Sequence, residues 1–135
     1  MDKKELALKL HGKGYNCAQS VLCAFADELD MDEKDMFRMA EAFGFGMGCM
    51  ETCGAVSGMV FAAGIKESDG NLDAPATKKA RYKASKSMVN AFKEKNQSVI
   101  CREIKGVDTG TVLRSCNGCI EDAVEILEAY LNGSL

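Results

Sequence analysis

Tryptophan is absent from this chain, and proline and histidine occur once each, at Pro75 and His11. With so little proline there is no stiff linker and little to interrupt helices. His11 falls in a charged N-terminal segment and reads as a solvated side chain rather than a base or ligand, which weakens any Cys-His nucleophilic scheme. Neither sign of charge dominates: 17 basic and 20 acidic side chains leave a net charge of −3. No basic field is available to gather phosphates, so nucleic acid is not expected as a partner. No apolar stretch has the length of a signal peptide or a spanning helix, so no membrane association is expected and the chain should stay in the cytoplasm.

What is plentiful is cysteine. Seven occur in 135 residues, an odd number in a chain long enough to bury a core without covalent staples. In a reducing compartment such thiols imply burial, metal binding or chemistry. The 47% hydrophobic and 27% charged residues are those of a globular protein.

Apolar spacing predicts helices nearly throughout. Leu6, Ala7 and Leu10 mark a short first helix stopped near Gly12 and Gly14. Asn16 with Gln19 three residues on forms a capping signature for a second helix from about Cys17 to Leu29. Asp32 caps a third helix through Ala42 that ends at Gly44. Thr52 can cap a fourth from Cys53 to Ile65, apolar nearly all round and therefore central. Pro75 suits the first turn of a long basic helix reaching about Lys95. A short helix over 98–104 closes at Gly106, and Ile120, Ala123, Val124, Leu127 and Leu131 stripe a last helix opened by Asn117 or Gly118. Nothing alternates with period two. The expected architecture is all-α, one domain over residues 1–135, a bundle of five or six helices.

The cysteines recur at helix starts: Cys17 after Asn16, Cys53 after Thr52, Cys101 in the first turn after Ser98, and Cys116 and Cys119 astride the start of the last helix. A helix start carries unpaired N–H groups and partial positive charge, which stabilise the thiolate, the form that attacks disulfides and binds metal. Cys116-Asn117-Gly118-Cys119 is a Cys-x-x-Cys, a spacing used by dithiol pairs and by half of a four-sulfur metal site. Cys23 reads as plain core and Cys49 as undecided. Gly44, Gly46 and Gly48 alternate in Gly44-Phe45-Gly46-Met47-Gly48-Cys49, freeing the backbone for positive φ or close approach to a bound cofactor.

Cys53-Gly54-Ala55-Val56-Ser57-Gly58, with Asn16-Cys17-Ala18-Gln19 upstream and Cys101-Arg102-Glu103 and Cys116 downstream, resembles the redox-active protein family named for its C_GCAxxG_C_C pattern. The name places glycine before cysteine where this chain has Cys53 before Gly54. The resemblance implies a small protein with four characteristic cysteines, a redox role and no established substrate. The four fall on Cys17, Cys53, Cys101 and Cys116, the last because Cys116-x-x-Cys119-Ile120-Glu121-Asp122-Ala123 is similar to the family's final Cys-x-x-aromatic-Val-x-Asp-Ala. Cys119 then stands in an aromatic position, which leaves open whether it or Cys116 is the functional member. The pattern is also similar to part of an iron–sulfur-containing cytochrome.

Two functions compete on this evidence. Cys17, Cys53, Cys101, Cys116 and Cys119 can serve a thiol–disulfide oxidoreductase acting on a redox partner protein or a small thiol. Alternatively, Cys17, Cys53, Cys101 and Cys116 can hold zinc or an iron–sulfur cluster. The expectation common to both is convergence of these sulfurs in one pocket, with Gly44 to Gly48 beside it. Phe37, Phe43 and Phe45 could offer an apolar face to a homodimer.

Overall fold

Residues 1–135 are described by a computed structural model containing eight helices, six of them seven residues or longer. They are α1 (Lys3–Gly12), α2 (Cys17–Cys23), α3 (Ala26–Leu29), α4 (Glu33–Ala40), α5 (Gly54–Glu67), α6 (Lys78–Asn96), α7 (Cys101–Ile104) and α8 (Cys116–Leu131). The protein is all-α, as the apolar spacing predicts; its only strand-like feature is an isolated antiparallel bridge between Thr52 and Ile100. No helix is long and apolar enough to cross a membrane.

Helix α5 occupies the centre, packed against α2, α6 and α8. Small residues make this packing close. A Cβ added to Gly58 would lie 2.6 Å from the Ala18 carbonyl oxygen, and one on Gly54 would lie 3.2 Å from the Ala18 nitrogen and 3.3 Å from Cys17 Cβ. The two glycines, four residues apart, thus form the face on which α2 rests. The fully buried side chains Phe25, Phe92, Leu22, Met36, Met59 and Met88 fill the space around this contact.

Several boundaries differ from expectation for local reasons. The long second helix breaks after Cys23: Phe25 is non-helical and α3 ends at Asp30 in left-handed geometry. Pro75 lies ahead of α6 rather than in its first turn, because Asp69 accepts hydrogen bonds from Asn71 and Ala76 N–H and from the Thr77 hydroxyl and winds the preceding loop into side-chain-stabilised turns. α8 opens at Cys116, one residue before Asn117, because Ser115 caps it by accepting from Gly118 N–H at 3.0 Å. Phe37 and Phe43, expected on an outer face, pack edge-on within the chain, against Tyr15 at 4.9 Å and Phe61 at 5.0 Å; Phe45 remains half exposed.

Candidate functional site

Cys17 is the first residue of α2, held by a complete capping box in which Asn16 Oδ1 accepts from Gln19 N–H and Gln19 Oε1 accepts from Asn16 N–H, both at 2.9 Å. The two side chains also reach outward, Asn16 Nδ2 donating to the Glu41 carbonyl at 2.8 Å and Gln19 Nε2 to the Phe37 carbonyl at 2.9 Å. The start of α2 is thereby tied to α4 and the turn after it.

Cys53 is itself the N-cap of α5, which starts at Gly54, one residue later than the sequence suggests. Its N–H donates to the Val99 carbonyl at 2.7 Å, and Cys101 N–H donates to the Glu51 carbonyl at 2.6 Å. This two-bond clasp, the bridge centred on Thr52 and Ile100, sets Cys53 opposite Val99 and Cys101 opposite Glu51 and so joins the starts of α5 and α7. Ile100, rather than Ser98, precedes α7 as its cap, while Ser98 Oγ accepts from Ile100 N–H.

The backbone from Phe45 to Gly48 turns with left-handed φ at four successive residues, 54° at Phe45, 59° at Gly46, 59° at Met47 and 75° at Gly48. Glycine at alternate positions spares half of this turn the cost of about 1–2 kcal/mol per residue that a Cβ brings there. Gly46 is also crowded: its missing Cβ would strike the Glu51 backbone and approach Cys101 Cβ. Gly44 has ordinary φ and is instead closed off by the Asn16 side chain, whereas Gly48 has open space beside it. Of the three glycines, then, Gly44 and Gly46 buttress the site, and it is Phe45 between them that lines it.

These elements surround a cavity of about 200 Å³ into which Cys17, Cys53, Cys101, Cys116 and Cys119 all face. The remaining two cysteines lie elsewhere: Cys23 is buried in the core, and Cys49 is exposed on the left-handed turn. Cys53, Cys101 and Cys119 are buried, while Cys17 and Cys116 are partly exposed. No two sulfurs are bonded; all seven cysteines are free thiols.

The thiols are electrostatically unequal. The neighbouring Cys119 thiol, resisted by burial and assisted by the Ala55 and Val56 N–H groups and Lys105, holds Cys53 down from the ordinary value of 9.0 to about 7. The Cys53 sulfur, with burial, pushes Cys119 strongly up. Burial, followed by the Cys116 and Cys53 sulfurs, pushes Cys17 up to about 12. Burial likewise raises Cys101. Cys53 is therefore the thiol that is lowered, while burial and the neighbouring sulfurs raise Cys17, Cys101 and Cys119.

Three wall residues could not be read from local sequence. Lys105 Nζ stands 3.6 Å from Cys116 Sγ and 5.7 Å from the Phe45 ring centre, and the nearby Cys116 sulfur holds the ammonium above its usual range. Arg114 Nε and Nη2 donate to the two Asp122 oxygens at 3.1 and 3.2 Å, and Asn96 and Lys95 complete the shell of this buried carboxylate. Gly118 lets that guanidinium lie against α8, since a Cβ there would sit 2.6 Å from Arg114 Cζ. His11, contrary to expectation, also faces the cavity: its Nδ1 is 2.8 Å from the Tyr15 carbonyl, which can only accept, so in the neutral ring Nε2 is unprotonated.

For zinc or a cluster held by Cys17, Cys53, Cys101 and Cys116, several sulfurs must share one centre. No three Cys, His, Asp or Glu side chains are placed to hold an ion together. The donor set has the right chemistry, but its arrangement does not fit a resident metal.

Comparison with known proteins identifies a family. The family described as "Putative redox-active protein (C_GCAxxG_C_C)" matches residues 15–130. No curated protein and no solved structure matches.

Proposed function

Because the chain belongs to the C_GCAxxG_C_C family of redox-active proteins, we propose that it is a cytoplasmic thiol–disulfide oxidoreductase in which Cys53 attacks and Cys119 resolves. The observation that carries this reading is the convergence on one cavity of Cys53, at the start of α5, and Cys119, one turn into α8, with Cys53 the thiol held below its ordinary value. A thiolate with a pKa near ambient pH is close to the optimum for disulfide exchange, being substantially ionised yet still nucleophilic.

In the forward step the Cys53 thiolate attacks one sulfur of a disulfide and expels the other as a thiolate. Cys119 then gives up its proton to that leaving sulfur and attacks Cys53, forming the Cys53–Cys119 disulfide and releasing the second substrate sulfur. Cys17 and Cys116 lie at the more open side of the cavity, where they can pass the disulfide on by exchange. Cys101, which lines the same cavity, is a further exchange partner.

The test is disulfide mapping after anaerobic reduction and titration with a stoichiometric disulfide oxidant. We expect a mass loss of two hydrogens and a peptide pair joining residues 53 and 119 as the first product. Oxidation confined to Cys49 at the surface, with Cys53 still a thiol, would overturn the assignment. Metal analysis of the anaerobically purified protein is run in parallel, and iron with sulfide bound in stoichiometric amount would replace this reading with electron transfer.

A further inference from the structure

Resting on the thiol–disulfide reading, we infer that the cysteine cavity is a binding site for a small, negatively charged disulfide, recognised through its carboxylate by Lys105 and Arg114. Access sets the size. Cys53 is 7% exposed and Cys119 2%, so the attacking sulfur lies beneath a cavity of about 200 Å³ rather than on a surface that a folded partner protein could press against. In-line attack requires the substrate's sulfur–sulfur axis to point at Cys53, and a disulfide embedded in a protein backbone cannot be lowered to that depth.

Charge sets the chemistry. The chain as a whole carries a net charge of −3, yet the cavity wall includes Lys105 and Arg114 and no aspartate or glutamate. Lys105 Nζ makes no ion pair with a carboxylate; it hydrogen-bonds the Cys116 sulfur and lies over the Phe45 ring. Arg114 spends Nε and Nη2 on Asp122, which fixes the guanidinium plane, and leaves Nη1 without a protein acceptor. A fixed guanidinium edge and a mobile ammonium at one small cavity are the usual donors for a carboxylate. A neutral or cationic disulfide would leave the Lys105 ammonium without a carboxylate partner and the free Arg114 Nη1 without an acceptor.

The reaction on such a substrate balances without another reagent. Cys53 sulfur bonds to one substrate sulfur as the sulfur–sulfur bond breaks. Cys119 then bonds to Cys53, and its proton passes to a departing sulfur. The products are one protein disulfide, one small thiol and one small thiolate, with two electrons moved from protein to substrate.

The experiment compares three symmetrical disulfides of similar size against the fully reduced protein: 3,3′-dithiodipropionate with carboxylates, bis(2-hydroxyethyl) disulfide, which is neutral, and cystamine with ammonium groups. The readout is the rate of Cys53–Cys119 disulfide formation by quenched-flow mass analysis. We expect the dicarboxylate to react about tenfold faster than the neutral compound, the lower end of the gain expected from a charged cleft, and cystamine to react slowest. Lys105→Gln should collapse the dicarboxylate-to-cystamine ratio several-fold, while Lys105→Arg should retain it. The ratio is the decisive quantity because any general loss of Cys53 reactivity in Lys105→Gln affects all three compounds alike. Equal rates, or preference for cystamine, would overturn the inference while leaving the dithiol reading intact. Failure of all three to oxidise Cys53 would overturn both.

Discussion

At the scale of single residues, what distinguishes Cys53 is its neighbour. Its own desolvation works against ionisation, and the Cys119 thiol is the largest influence holding it near 7. The alkylation rate of Cys53 should therefore rise with pH to half its maximum near 7 rather than near 9.0. Hydrogen bonds to charged acceptors contribute about 1.5–3 kcal/mol, and one pH unit corresponds to about 1.4 kcal/mol, so Cys119→Ala should move that midpoint up by about 1–2 units. Iodoacetamide labelling followed by peptide mass analysis across pH 5–10 checks this, and an unmoved midpoint would assign the shift to the helix start alone. Asp122 shows a similar competition: burial pushes the carboxyl up, but Arg114, Lys95 and Asn96 outweigh it and hold it below the usual carboxylate range. Its contribution to stability is then complete above pH ~4 and lost as the pH falls through the depressed folded value. Asp122→Asn should lower stability at neutral pH by roughly 2 kcal/mol and flatten the acid limb of urea-monitored unfolding. Losing the Arg114 anchor should also weaken discrimination among charged disulfides.

At the scale of elements, the contact between α2 and α5 depends on side chains that are absent. Gly58→Ala drives a Cβ to within 2.6 Å of the Ala18 carbonyl oxygen, backbone that cannot rotate away, so the helices must part. A cost of about 2 kcal/mol is expected, seen as a Tm lower by several degrees in thermal circular dichroism, with Cys17 becoming more accessible to alkylation. A variant as stable as the parent would mean that α2 can slide without penalty. This level was partly legible in the sequence. Asn16 and Gln19 announce the start of α2 because a capping box is a local device, complete within four residues. Alternating glycines announce unusual backbone, and Gly46 and Gly48 do take positive φ. By contrast, the clasp joining Glu51 and Cys53 to Val99 and Cys101 spans most of α5 and α6, and no local pattern encodes a pairing of two bonds. The places of Lys105, Arg114 and His11 on the cavity wall are equally tertiary: each is an ordinary charged or polar residue in its own segment, and only the meeting of segments makes it part of the site. The cysteine spacing was legible; which neighbour perturbs which thiol was not, because Cys116 and Cys119 look paired in sequence while Cys53, at the start of another helix, is the neighbour that most raises Cys119.

At the scale of the whole molecule, the five cavity sulfurs come from residues 17 to 119, so the site draws on nearly the full length of the chain. The core is shared in the same way: one contiguous cluster runs from Ala7 on α1 to Leu127 on α8. The thiol that lowers Cys53 belongs to the last helix, and this has a consequence for synthesis. As the polypeptide leaves the ribosome, Cys17, Cys53 and Cys101 emerge before Cys119 does, and until α8 docks none of them has the partner that lowers the Cys53 thiol. The growing chain thus carries ordinary, mostly protonated thiols through the period when its cysteines are least sheltered. The lowered Cys53 thiol arises only once α8 docks.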